Sequence, residues 1–223
     1  MRKTLSAVML VCCFVSSADA GKYDDLAVYF PMSPGTVWTY QMANNPPEWQ
    51  VRVQDCGVGE DGIHGCSLKS LMLPWMPPRY DIFVIQGDAV LMRATKVADL
   101  YSGQMKEWKQ SIPSEMVLRS PLKVGTKWEN IIDDRQERLK IVSVGKVKVK
   151  AGEYGKVIKI SKETFDKDPK TGKWKQCMSG DCNFLQYYAP NIGLIKEEMV
   201  EGQKTIPWRE LVEFTSSNQP SGN

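Results

Sequence analysis

The stretch from Val142 to Ile160 leaves this chain little choice of architecture. Val147 and Val149 alternate with Lys146, Lys148 and Lys150, and after Ala151-Gly152-Glu153-Tyr154-Gly155 the chain continues as Val157-Ile158-Lys159-Ile160. A period of two sends the valines to one face and the lysines to the other, as in a strand buried on one side. The glycine-bearing segment reads as a turn. The second run returns as an antiparallel partner, because so short a connection cannot make a parallel crossover. Ile82 to Gln86 and Ala89 to Arg93 repeat the arrangement across Gly87-Asp88. Asn183 to Ala189 and Leu194 to Glu201 do so across Pro190-Asn191-Ile192-Gly193, and Trp208 to Phe214 supplies a closing strand. Asp24 to Tyr29 is long enough for one helical turn. Val97 to Gln110, interrupted by Ser102-Gly103, reads as a loop and a strand with room for a short helix. The expected fold is all-β: a single curved antiparallel sheet or half-open β-barrel of about ten strands, as one unit or as two related halves.

The N-terminus reads as an export signal. Met1-Arg2-Lys3 is a short basic segment, Leu5 to Val15 is apolar, and Ala18-Asp19-Ala20 has the small-x-small pattern of a cleavage site. Residues 1–20 are therefore expected to be removed, leaving a β-rich domain over 21–215 and a frayed polar tail over 216–223. Cys12 and Cys13 raise the rival reading of a lipid anchor, but neither follows the small residue that such a site requires. The expectation is a periplasmic or secreted protein, with no transmembrane segment after signal cleavage. Without the signal the net charge falls from +3 to +2, too balanced to suggest nucleic acid as a partner.

Export changes the reading of the remaining cysteines, Cys56, Cys66, Cys177 and Cys182. An even count in an oxidising compartment suggests two disulfides with three connectivities; local pairing, Cys56–Cys66 and Cys177–Cys182, is expected. Neither pair has C-x-x-C spacing and His64 is the one histidine, so no metal is expected. No Gly-x-x-x-x-Gly-Lys-Ser/Thr element is present, and no cofactor is expected.

Phe30-Pro31-Met32-Ser33-Pro34-Gly35-Thr36-Val37-Trp38 is echoed by Ser120-Pro121-Leu122-Lys123-Val124-Gly125-Thr126-Lys127-Trp128. Two readings stay open: a duplication, or two strands that begin with the same turn, each with a glycine and a buried tryptophan. The second copy also carries a resemblance. Pro121 to Trp128 resembles the Pro-Leu-x-x-Gly-x-x-Trp element of uncharacterised exported bacterial β-proteins. Val147 to Tyr154 is similar to the valine-rich hairpin that follows there, and Tyr187 to Ala189 with Gly193 to Lys196 to their Tyr-Tyr-Ala-x-x-x-Gly-Leu-Ile/Val-Lys element. The likeness covers most of residues 115–214 and, more loosely, the region from Phe30; residues 97–113 match poorly. It implies a strongly curved sheet akin to half-barrel periplasmic lipoprotein carriers. It implies no activity and no catalytic residue.

Candidate chemistry is sparse. His64 lies in Asp61-Gly62-Ile63-His64-Gly65, and no Gly-x-Ser-x-Gly elbow is present to partner it. Asp133-Asp134 and Glu197-Glu198 are adjacent pairs, whose members point to opposite faces of a strand and are expected to be solvated. Asp166 to Lys173 reads as a tight turn, not a calcium loop, because it lacks the downstream glutamate and carries three lysines. Trp38 and Trp128 are expected to anchor the core. Leu71-Met72-Leu73-Pro74-Trp75-Met76-Pro77-Pro78 is apolar, but its prolines forbid a central strand. It either caps an open end of the sheet or exposes an apolar edge.

The leading functional expectation is a non-enzymatic envelope protein that binds a hydrophobic small molecule, a lipid or another envelope protein on its concave face. Leu71, Leu73, Trp75 and Met76 are its candidate ligand contacts. The alternative is a structural or adaptor module without a pocket, augmenting a partner by an edge strand. A third reading, an envelope hydrolase, needs buried convergent carboxylates with raised pKa values.

Overall fold

The computed structural model describes residues 24–43, 45–59, 61–71, 76–98, 105–107, 114–177 and 182–216. The expected signal, Leu73, Trp75 and most of the segment between 99 and 113 lie outside the described residues. A short helix, α1 (Asp24–Tyr29), precedes the sheet. The first run of strands is β1 (Val37–Met42), β2 (Asn45–Val58), β3 (His64–Leu71), β4 (Arg79–Gln86), β5 (Ala89–Ala98), β6 (Met105–Glu107) and β7 (Glu115–Arg119). The second is β8 (Lys127–Ile132), β9 (Arg135–Val149), β10 (Gly152–Lys167), β11 (Trp174–Gln176), β12 (Phe184–Ala189), β13 (Gly193–Glu201) and β14 (Lys204–Thr215).

Each run is an antiparallel meander, and the two join in one sheet. At one junction β14 and β1 pair along their length with one bulge, Trp38 opposite Phe214 before it and Tyr40 opposite Leu211 after it. At the other, β7 pairs with β5 and meets β8 through side chains. The Met116 amide donates to Asn130 Oδ1 at 2.8 Å. Trp128 Nε1–H and Asn130 Nδ2–H both donate to the Met116 carbonyl, at 2.9 and 3.1 Å. These groups replace ladder bonds along an edge that would otherwise present unpaired backbone. The sheet is therefore a nearly closed barrel of twelve strands, more complete than the half-open form expected from the pattern.

The Val142–Ile160 hairpin also turns more tightly than its spacing suggests. Val149 is opposite Gly152, so Lys150-Ala151 is the connection and Tyr154 already lies on a strand, opposite Val147. Gly155-Lys156 is a bulge between paired residues Tyr154 and Val157, with Lys156 at φ 55°. A bulge and a turn both favour glycine, which is why the two merge in the sequence.

The Gly-Thr-x-Trp echo is matched bond for bond. The Gly35 amide donates to the Val53 carbonyl (3.0 Å) and the Gly125 amide to that of Ile141 (2.9 Å). Thr36 donates to Ser33 and Thr126 to Lys123, both at 3.1 Å, and the Val53 and Ile141 amides return bonds to Thr36 and Thr126. Gly35 and Gly125 have φ of 83° and 96°, where a Cβ would be strained. Each tryptophan is buried and bonds across to the other meander, Trp38 Nε1–H to the Ile192 carbonyl and Trp128 Nε1–H to that of Met116. The two meanders are built on the same turn.

α1 packs its apolar side into the barrel. Leu26 is fully buried, the Asn191 amide donates to the Val28 carbonyl at 2.6 Å, and the Phe30 ring lies 5.1 Å from that of Phe83. Both disulfides are local. Cys56 faces Cys66 across β2 and β3 with Cα atoms 4.1 Å apart, and Cys177–Cys182 links the segment after β11 to the start of β12.

Candidate functional site

Alternation along each strand sends every second side chain inward, but these side chains do not fill the barrel. A cavity of about 560 Å³ remains, within the range of roughly 300–1,000 Å³ usual for small-molecule sites. Phe30, Trp38, Leu68, Phe83, Val117 and Leu194 supply much of its apolar wall. Tyr40 and Tyr188 also line it; burial pushes both phenols well above their ordinary pKa, and Tyr40 Oη donates to the Leu194 carbonyl at 2.8 Å.

A polar belt crosses this interior. On β4, Arg79 Nε donates to Asp81 Oδ1 at 2.8 Å, and Thr95 Oγ1 on β5 donates to the same oxygen at 2.6 Å. On β10, Lys162 Nζ lies 2.7 Å from Oε1 of buried Glu137 on β9. Across β13 and β14, Arg209 pairs with buried Glu197, whose Oε1 accepts from Gln186 Nε2 at 2.7 Å. The Arg209 guanidinium also stacks 4.0 Å from the Trp49 ring centroid and 5.1 Å from that of Tyr40. Lys162 and Arg209, largely buried, and Arg79, more exposed at the end of β4, thus each hold a buried carboxylate, the arrangement that makes its charge tolerable away from water.

Glu115 on β7 is different. It lines the cavity, and among the described residues its carboxyl makes no hydrogen bond or ion pair. Burial raises its pKa; Glu137 and Asp81 push the same way, while Lys162 and Arg79 oppose them. The folded protein therefore holds this proton to higher pH than the unfolded chain does. Stability contributed by the protonated carboxyl is present below the unfolded pKa and is lost as pH rises through the folded one. Glu115→Gln has no proton to lose. Its stability relative to the wild type should rise as pH increases from about 4 towards neutrality, as read by urea unfolding at several pH values. A difference that does not change with pH would contradict the assignment.

Of the four contacts expected from the sequence, Met76 lines the cavity together with Pro77 and, at 40% exposure, stands at its mouth. Leu71 is exposed at the end of β3 and does not line the cavity. Leu73 and Trp75 lie outside the described residues. His64 is exposed at the start of β3. Asp133-Asp134 form the β8–β9 turn, with Ile132 opposite Arg135, so they are not on a strand at all. Asp168 organises its turn by accepting the Lys170 and Thr171 amides at 2.8 and 3.1 Å. Its pairing with Lys175, ahead of these two amides, holds its carboxyl down at about 2.

Glu197-Glu198 requires a correction. The two do face opposite ways, but only Glu198 is on the outer face, where it accepts from Tyr187 Oη and pairs with Lys196 at 2.7 Å. Glu197 is buried, not solvated, because Arg209 and Gln186 satisfy it. The belt as a whole escaped sequence reasoning, although a signal existed. Glu137 continues the inward series of Ile141 and Leu139, Lys162 that of Ile158 and Ile160, and Arg209 that of Leu211. Among the described residues no group of three or more His, Cys, Asp or Glu is placed to hold a metal.

No protein-family model and no curated protein matches the chain. Two solved structures are similar in outline. One is a Bacteroides fragilis protein inferred to be exported, with a YmcC-like fold, at 14% identity and TM-score 0.41, covering 85% of this chain and 99% of that one. The other is a Parabacteroides distasonis protein inferred to be a lipoprotein, at 12% identity and TM-score 0.43, covering 84% of this chain and 98% of that one.

Proposed function

We propose that this chain is a non-enzymatic binding protein that holds a hydrophobic small molecule or lipid inside its barrel, outside the cytoplasm. The observation that carries the reading is the cavity of about 560 Å³ with its largely apolar wall. A packed barrel of this size would serve an adaptor equally well, and leaving such a volume unfilled costs packing contacts. The two disulfides support an oxidising compartment. No helix among the described residues is long and apolar enough to cross a membrane.

The test is a fluorescence titration with N-phenyl-1-naphthylamine, a neutral apolar dye that brightens out of water. Saturable binding of one dye per chain is expected, weakened at least tenfold by Val117→Trp, which fills the cavity from β7. Absence of saturation, or undiminished binding in a Val117→Trp variant with native near-ultraviolet circular dichroism, would overturn the reading.

Hydrolysis is the second reading, favoured by one observation: Glu115 is a partly buried carboxyl in the cavity wall with a raised pKa, as a general acid requires. Hydrolysis of a glycosidic bond also needs a second, free carboxylate. Asp81, Glu137 and Glu197 are each engaged by a cation, so the belt supports binding better than catalysis.

A further inference from the structure

The polar belt discriminates between ligand head groups. Among the described residues, the cations that line the cavity are Arg79, Lys162 and Arg209, and each is already committed, to Asp81, Glu137 and Glu197 respectively. Arg135 adds a more distant contact to Glu137, at 3.9 Å from the surface side. An anionic head group entering the cavity meets Asp81, Glu115 and Glu197 in the same lining, and drawing Lys162 or Arg209 away would leave Glu137 or Glu197 buried without its cation. Glu115 has no such partner to give up.

Its surroundings suit a cation on an apolar body. Glu115 is opposite Met92 on β5, and Met92 is opposite Phe83 on β4, so the three form one rung across neighbouring strands. All three line the cavity. The rung therefore sets a carboxyl beside a polarisable thioether and an aromatic ring, and an aromatic face attracts positive charge. Trp49 and Tyr40 already accept a guanidinium in this way, from Arg209.

Building on the proposed binding function, we propose that the ligand of this cavity is an apolar molecule with a protonated amine, and that Glu115 receives the amine. An ammonium group forms a charge-assisted hydrogen bond with the Glu115 carboxylate while its hydrocarbon body lies along the Phe30, Phe83 and Val117 wall.

The experiment is isothermal titration calorimetry with three probes of one chain length, decylamine, decanol and decanoate, at neutral pH and below self-association. Decylamine is expected to bind at least tenfold more tightly than decanoate, with decanol between them. Glu115→Gln is expected to bring decylamine down to the affinity that the same variant has for decanol. Decanoate binding as tightly as decylamine would overturn the proposal, as would an amine preference that survives Glu115→Gln. Equal binding of all three overturns the amine assignment and leaves the cavity-binding function standing; binding of none overturns both. The wild-type series decides the amine preference even where the variant does not fold.

Discussion

Arg209→Leu should lower the stability of the folded protein by about 3–5 kcal/mol. Arg209 and Glu197 are both nearly buried, with side chains 13% and 8% exposed. Removing the guanidinium leaves the Glu197 carboxylate in the barrel with Gln186 as its remaining hydrogen-bond donor. It also strips the cation from the Trp49 and Tyr40 rings. The cost belongs to the orphaned charge more than to the lost pair, and a second substitution separates the two. Adding Glu197→Gln to Arg209→Leu should recover most of the loss, since a neutral amide needs no counter-ion. Urea unfolding of both single variants and the double variant completes the cycle. A loss below about 1 kcal/mol for Arg209→Leu would place the pair with ordinary surface salt bridges and would contradict its burial.

Trp38→Ala should cost a similar amount, about 3–5 kcal/mol. Trp38 is 5% exposed, packs its ring at a tilt 5.9 Å from that of Phe214 across the β1–β14 junction, and donates its indole N–H to the Ile192 carbonyl. It therefore ties the first meander to the β12–β13 turn of the second. Trp38→Phe keeps most of the apolar contact but leaves that carbonyl without its indole donor, a smaller loss of about 1–3 kcal/mol. The ordering wild type, Trp38→Phe, Trp38→Ala in urea midpoint tests both contributions. Equal midpoints would mean that the two meanders are held together elsewhere.

Strand pattern and core anchors were legible because each depends on local chemistry. The valine–lysine alternation of Lys146 to Lys150 became a half-buried strand, and Trp38 and Trp128 became core residues. The cysteine spacings translated into local bridges. Closure of the barrel was not legible, because it depends on Asn130, an inward polar residue in Trp128-Glu129-Asn130-Ile131 that looks like any other polar residue on a strand. The belt was hidden for a related reason. Lys196-Glu197-Glu198 reads as a solvated charge run, and a bulge between Glu197 and Glu198 interrupts the register that would have marked Glu197 as inward. Pairing partners on other strands decide whether such a carboxylate can be buried: Lys162 of β10 for Glu137 of β9, and Arg209 of β14 for Glu197 of β13. Met76 was found because a proline-rich apolar segment has few places to go. Leu71, five residues earlier, shares the composition but ends on the outside.

The most direct test of binding inside the barrel is the position of the bound molecule, read from ¹³C-methyl methionine spectra during titration with N-phenyl-1-naphthylamine. Met76 and Met92 line the cavity, whereas Met32 and Met199 do not. The ring currents of a dye seated in the barrel should shift the Met76 and Met92 methyl signals saturably and leave those of Met32 and Met199 nearly in place. Shifts confined to Met32 or Met199, or no saturable shift at Met76 and Met92, would contradict a ligand site within the barrel.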